Sequence, residues 1–235
     1  MCDIRFLSCG DSAVTVELSR DINEDTNKLI RYISSSLDEK HLKGVIESVP
    51  TFCSLTVYFD PFKTSKARLE RAIRRIIEDY KPSTINGGRL FHIPVCYDGE
   101  LSPDMESVCA HTGLTRDEVI ALHTSPEYLI YMLGFLPGFA YLGGLDKRLE
   151  TPRLDTPRTL IPEGSVGIGG KQTGIYPLAS PGGWRLIGCT PIRVYTPHSD
   201  DPILYKAGDR IKFYPITYDE FVRGECKVRV EEVTP

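Results

Sequence analysis

The stretch that decides the fold lies between His123 and Gly188. It contains three segments rich in glycine and aromatic residues, which read YMLGFLPGFAYLGGL at 131–145, GSVGIGGKQTGIYP at 164–177 and SPGGW at 180–184. Glycine permits backbone angles and close approaches that other residues do not, and aromatic rings supply rigid contact area. The mixture therefore favours shaped loops around a ligand or partner. For any single glycine, a turn within a β-rich core is the alternative.

Composition limits the classes of protein that the chain can belong to. At 235 residues and a net charge of −4 it has room for two small domains and shows no basic surface for nucleic acid or an anionic membrane. Its N-terminus lacks the apolar run of a secretory signal, and glycine and proline interrupt the apolar segment 128–145, so no spanning helix is predicted. The seven cysteines are too scattered for a metal site and indicate reduced thiols in a cytoplasmic protein.

The first part of the chain predicts alternating strands and helices. A hairpin turns at 10–12, a helix starts at Asp21 with Glu24 completing a capping box, strands follow at 44–49 and 53–59, and a second helix runs from Ser65 to Pro82. With a further strand from Arg89, this order predicts a ferredoxin-like sandwich. The turn-forming run 81–88 suggests domains at 1–86 and 87–235, and the strand from Arg89 could belong to either.

The second part predicts a β-barrel preceded by helices. Helices are expected at 103–112 and 115–123, and a third is possible at 125–133. From residue 161 onward, short apolar runs are separated by glycine and proline, as at 186–188, 192–195, 203–205 and 210–213. Such spacing is typical of a closed or nearly closed β-barrel.

Short motifs for common chemistries are incomplete. Gly170-Lys171 lacks the other residues of a phosphate loop. Ser165-Val166-Gly167 and Ser180-Pro181-Gly182 lack the leading glycine of a nucleophile elbow. His123 could contact a ligand or fill a hydrogen-bonding role in the core. Arg153 and Arg158, in proline-fixed turns, could clamp a carboxylate or phosphate, or could be ordinary exposed arginines.

Together these motifs resemble the 5-oxoprolinase B-subunit family, which includes allophanate hydrolase subunit 1 and KipI. The matching residues, in order, are His123, Tyr128, 134–142, 151–153, 157–158, 162–177 and 180–184. The resemblance implies a small α/β domain followed by a cyclophilin-like β-barrel. It also implies the B component of a bacterial enzyme that, together with its A and C components, uses ATP to open 5-oxo-L-proline to L-glutamate. KipI, in contrast, inhibits a sporulation sensor histidine kinase, and this alternative stays open.

The implied reaction needs three kinds of binding group. A lactam is an unreactive amide, and conversion of its oxygen to a phosphate ester would make the carbon electrophilic. Phosphate donors could come from Lys171, Gln172 and Thr173, and carboxylate donors from Arg153 or Arg158. An apolar wall for the ring could come from Phe135, Phe139, Tyr141, Tyr176 and Trp184. No catalytic residue or metal ligand is evident, so ATP, with Mg²⁺, is expected to be shared with partner subunits that complete a half-open pocket.

Overall fold

Two separate sheet systems make up the chain in the computed structural model, which describes residues 4–81 and 88–233. The described residues up to 81 form one compact unit, and those from 88 onward form a second. Most of the predicted boundary segment, residues 82–87, lies outside the described residues. The position of the boundary therefore stays a prediction.

The first unit is an antiparallel four-stranded sheet with two helices on one face. Its elements are β1 (Arg5–Cys9), β2 (Ala13–Glu17), α1 (Glu24–Lys40), β3 (Val45–Pro50), β4 (Ser54–Phe59) and α2 (Lys66–Asp79). The strand order is β1-β2-β4-β3. Alternate residues of β2 and β4, such as Val14, Val16, Leu55 and Val57, are fully buried in one cluster with apolar residues of both helices. The period of two along each strand fixes which face the helices cover.

Two details differ from the predicted pattern. Helix α1 is capped by Asn23 and not by Asp21, because the Asn23 side chain accepts a hydrogen bond from the N–H of Thr26 at 2.8 Å. The strand from Arg89, which the sequence left open between the two domains, belongs to the larger sheet, and β1 takes the outer position beside β2. The α+β class is confirmed, and the ferredoxin-like label stays a prediction.

The second unit is a closed seven-stranded β-barrel with added helices. Its helices are α3 (Met105–Thr112), α4 (Arg116–Thr124) and α5 (Tyr218–Arg223), with short 3-10 turns at Gly99–Leu101 and Lys147–Leu149. Its strands are β5 (Arg89–Cys96), β6 (Tyr128–Leu133), β7 (Ala140–Gly143), β8 (Arg158–Ile161), β9 (Ser165–Gly169), β10 (Gln172–Ile175), β11 (Ser180–Gly182), β12 (Arg185–Cys189), β13 (Arg210–Ile216) and β14 (Arg229–Glu232).

The barrel runs β12-β9-β10-β7-β6-β13-β5 and closes where Cys189 of β12 pairs with Cys96 of β5. Strand β14 extends it beyond β5, and β8 and β11 form a separate ladder. The predicted barrel and the two preceding helices are thus confirmed, including the capping box of Thr115 with Glu118. The cyclophilin-like label stays a prediction.

Three apolar runs of this unit differ from the expected pattern. Residues 128–133 form β6 and not a helix, because a strand buried on both faces gives a continuous apolar run without periodicity. The runs 192–195 and 203–205 make only one bridge, between Tyr195 and Ile203. Prolines next to these runs supply no N–H donor for a longer ladder. Among residues 4–81 and 88–233, no helix is long and apolar enough to cross a membrane.

Candidate functional site

The five aromatic residues singled out in the sequence form one cluster around Phe139. Rings of Phe135, Tyr141, Tyr176 and Trp184 lie 5.1–5.6 Å from the Phe139 ring, all in edge-to-face contact. Phe139, Tyr176 and Trp184 are buried, whereas Tyr141 is half-buried and Phe135 is 61% exposed. The predicted open wall of five rings is therefore wrong for the three buried ones, because they pack against each other.

Glycines of the β9–β10 hairpin allow Trp184 to lie against the strand backbone. A Cβ atom added at Gly169 would lie 2.4 Å from Trp184 Nε1, and one at Gly174 would lie 3.2 Å from Trp184 Cζ3. Gly167, which pairs with Gly174, is similarly close to Trp184 Cβ. These glycines serve close packing in the interior, which is the alternative to a ligand-binding loop.

The turn between β6 and β7 holds Phe135 in a strained conformation. Its φ is +69°, and the N–H of Leu136 donates to the carbonyl of Gly134 at 2.8 Å. This is the i→i+2 bond of a γ-turn, and positive φ at its centre is strained for a bulky residue. Two bonds that involve Phe139 fix the turn, one from the Gly134 N–H and one to the Leu136 carbonyl. The turn therefore presents an exposed ring on a rigid backbone.

His123 is a core residue and not a ligand contact. It is fully buried, its Nδ1 lies 2.7 Å from the Tyr97 hydroxyl, and its Nε2 lies 2.8 Å from Thr173 Oγ1. Thr173 Oγ1 donates to the Gly167 carbonyl, so it accepts from Nε2–H, and Tyr97 donates to Nδ1. Burial lowers the pKa of His123 from 6.5 to about 3, which keeps the ring neutral.

The same network corrects the role predicted for Thr173. Its side chain is fully buried, and its hydroxyl is already engaged by His123 and Gly167. A hydroxyl in this position has no capacity left for a phosphate group. What remains of the predicted phosphate-binding set is Lys171, which is exposed, and Gln172, which is half-buried.

Backbone pairing connects the loop that carries Arg153 with the turn that carries Lys171 and Gln172. Thr151 and Gly170 exchange two hydrogen bonds, of 2.8 and 3.3 Å, which join the loop before β8 to the β9–β10 turn. Arg153 lies two residues after Thr151, and Lys171 and Gln172 directly follow Gly170. The pairing therefore brings these three residues near one another. The N–H of Leu154 donates to the Gly183 carbonyl at 2.7 Å and holds the loop further along.

Arg158, the second arginine of this loop region, is held by a residue that sequence reasoning missed. Its Nη2 donates to Asp104 Oδ1 at 2.7 Å, and its buried Nη1 has no partner among the described residues. Asp104 lies within the helix predicted at 103–112, and nothing local in the sequence reveals a partner 54 residues away. Burial raises the pKa of Tyr176, with Arg153 and Arg158 acting in the opposite direction.

A cavity of about 600 Å³ in the second unit is lined by residues that include Arg89, Tyr205, Lys206 and Asp209. None of the residues predicted from sequence lines it. Within the part of the chain that the structure describes, no group of three or more His, Cys, Asp or Glu residues could hold a metal ion. No chemical step is therefore assigned to a metal in this chain.

Comparison with known proteins establishes the class of the chain. The family model described as carboxyltransferase domain, subdomain C and D, matches residues 4–205. The crystal structure of TTHA0988 is 35% identical with a TM-score of 0.77 over 87% of this chain, which spans only 40% of that longer chain. Urea amidolyase of K. lactis, at 22% identity, shares the fold with a TM-score of 0.81 over 98% of this chain and 16% of its own.

The most informative relative is the B subunit of 5-oxoprolinase from Bacillus subtilis. It is 42% identical over 226 residues, which covers 90% of this chain and 92% of the relative. The chain therefore belongs to the family of carboxyltransferase domains, subdomains C and D, and within it to the 5-oxoprolinase B subunits. The resemblance found in the sequence is confirmed.

Proposed function

We propose that the chain is the B subunit of a bacterial ATP-dependent 5-oxoprolinase, which acts with the A and C components to convert 5-oxo-L-proline to L-glutamate. The supporting observation is the 42% identity with a curated 5-oxoprolinase B subunit along almost the full length of both chains. Within this proposal the complex is cytoplasmic, the domains are 1–86 and 87–235, and the chain is inactive alone. ATP is bound jointly with the partner subunits.

The chemistry calls for activation of the lactam before water attacks. Transfer of the γ-phosphoryl group of ATP to the lactam oxygen makes the ring carbon electrophilic. One water adds to that carbon, the C–N bond breaks with a proton passing to the nitrogen, and an acyl phosphate remains. A second water releases phosphate and leaves the new carboxylate. Catalytic groups for these steps are assigned to the partner subunits.

This chain contributes binding groups on the side of the barrel where the loop 151–158 meets the β9–β10 turn. Arg158 and Arg153 supply forked donors for the substrate carboxylate, since guanidinium groups match carboxylate geometry. Lys171 and Gln172 lie beside the same loop and supply donors to the phosphates. Phe135, the most exposed ring of the aromatic cluster, supplies an apolar contact. Each role is compatible with the burial and partners of the side chain.

The test uses the three components of the enzyme expressed together. Arg158→Gln and Arg153→Gln are expected to raise the KM for 5-oxoproline about tenfold or more, because each removes a charge-assisted hydrogen bond to the carboxylate. The KM for ATP should stay unchanged. Arg193→Gln is the matched control, because that side chain is 77% exposed and pairs with Glu163 at 3.6 Å. Glutamate formation by this chain alone, or unchanged kinetics in both arginine variants, would contradict the proposal.

The kinase-inhibitor alternative predicts a different partner. A pull-down with the tagged chain from its native host is expected to recover the C component of the enzyme and no sensor histidine kinase. Recovery of a kinase in stoichiometric amount, with inhibition of its autophosphorylation by the purified chain, would support the alternative instead.

A further inference from the structure

Asp104 occupies a position at which a carboxylate normally caps a helix. It precedes α3 directly, and an aspartate at this place usually accepts a hydrogen bond from the N–H two or three residues later. Asp104 makes no such bond. The side chain is turned away from the helix that it precedes, although the residue is only 7% exposed.

The Asp104 carboxylate joins two strands instead. Oδ2 accepts from the N–H of Leu186 in β12 at 2.7 Å, and Oδ1 accepts from Arg158 Nη2 in β8 at 2.7 Å. The backbone N–H of Asp104 also donates to the Leu186 carbonyl at 3.0 Å. Because backbone and side chain of Asp104 are both tied to Leu186, the guanidinium that the carboxylate holds is fixed as well.

This arrangement leaves most of the Arg158 guanidinium unused. The group carries five N–H donors, and the bond to Asp104 takes one of them. Its buried Nη1 has no partner among residues 4–81 and 88–233, and neither has the hydroxyl of Ser180 on the paired strand β11. Ser180 is also only 7% exposed. Unpaired polar groups of this kind are costly and are found where a ligand or a functional role compensates.

We propose that Asp104 is a positioning residue for the reaction, which holds Arg158 with its remaining donors directed to the substrate carboxylate. The inference rests on the proposed function, because it requires Arg158 to bind that carboxylate. A residue that only tied α3 to β12 would affect the stability of the barrel and would have no effect that depends on Arg158. This difference makes the two roles separable.

The decisive variant is Asp104→Glu in the assembled complex. It keeps the negative charge beside Arg158 and moves the guanidinium by about one methylene, and displacements of this size near a reacting group are costly. We expect the KM for 5-oxoproline to rise about tenfold, with kcat within about twofold. In the double variant with Arg158→Gln, the KM should be no higher than in Arg158→Gln alone, because residues that act through one another are not additive.

Controls separate this role from a loss of fold. Asp98→Asn, in the same segment, removes an exposed carboxylate that pairs with Arg116 at 3.4 Å, and it should leave the KM unchanged. Thermal unfolding of each variant reports stability independently. Should Asp104→Glu not fold, Asp104→Asn is tested for the same dependence on Arg158.

The outcomes distinguish the two proposals. If Arg158→Gln raises the KM but the Asp104 variant does not, or if their effects multiply, the positioning role is wrong and the proposed function stands. If Arg158→Gln itself leaves the KM for 5-oxoproline unchanged, the assigned carboxylate site and the role of Asp104 are both wrong.

Discussion

Acid should destabilise the barrel unit through His123. The buried ring has a pKa of about 3 in the folded chain, whereas an unfolded histidine titrates near 6.5. Below pH 6.5 the unfolded state binds a proton that the folded state does not, so stability falls as the pH falls, and the loss ends near pH 3. Each pH unit well inside this window costs about 1.4 kcal/mol, so the loss between pH 7.5 and 4.5 is roughly 3 kcal/mol.

Trp184 makes the measurement specific to the barrel. It is the single tryptophan of the chain and is buried in the second unit, so its fluorescence reports the unfolding of that unit. Urea titrations at about pH 7.5, 6.5, 5.5 and 4.5 yield the free energy of unfolding at each pH. Carboxylates also titrate in this range, and the variant His123→Gln corrects for them because it retains every other ionisable group.

The expected result is that the free energy of unfolding falls more steeply with decreasing pH in the original chain than in His123→Gln. His123→Gln should be about 1–3 kcal/mol less stable at pH 7.5, because glutamine cannot satisfy both Tyr97 and Thr173 from the place of the ring. From pH 7.5 to 4.5 the original chain should lose roughly 3 kcal/mol more than the variant, so their curves converge. Parallel curves would show that the folded chain takes up the His123 proton over the same pH range as the unfolded chain, and the assigned neutral network would then be wrong.

Three further predictions follow from local geometry. Phe135→Gly should be more stable than Phe135→Ala by about 0.5–1 kcal/mol in urea unfolding, because only glycine relieves the positive φ; the reverse order would argue against the γ-turn. Gly169→Ala should destabilise the barrel by about 1–3 kcal/mol and shift the emission of Trp184, since the new methyl group overlaps the indole; an unchanged spectrum would contradict this packing. Burial raises the pKa of Cys189 to about 12. An aromatic disulfide reagent should therefore label exposed Cys9 in the folded chain and Cys189 only after unfolding. Labelling of both thiols at equal rates would refute this prediction.

Regular elements were predictable where the apolar pattern has one clear period. The strands and helices of the first unit show such periods, although the cap of α1 is Asn23, two residues after the predicted Asp21. Strand β6 was mistaken for a helix because all of its first four residues are buried and no alternation remains. The outer position of β1 could not be predicted either, because no local signal states which strand lies at the edge of a sheet.

The candidate site was predictable by region and not by residue. Local sequence located the loop 151–158 and the β9–β10 turn, and the structure pairs them through Thr151 and Gly170. Asp104 was missed because its partner lies 54 residues away, and a long-range ion pair leaves no trace in local spacing. The neutral state of His123 also depends on burial, which only the folded chain defines.

The glycine and aromatic pattern that marks this region has two physical causes, and they point to different residues. Where a glycine lies under a ring, as Gly169 lies under Trp184, its lack of a side chain is explained by packing, and the ring is buried. Where a bulky residue takes a positive φ beside glycine, as Phe135 does, burial does not explain the strain, because the ring contacts Phe139 at its edge and is otherwise mostly exposed. Strain persists only where the surrounding structure enforces it, and such positions concentrate at binding sites. The exposed and strained member of the cluster is therefore the one whose removal should affect the assembled enzyme more than the fold.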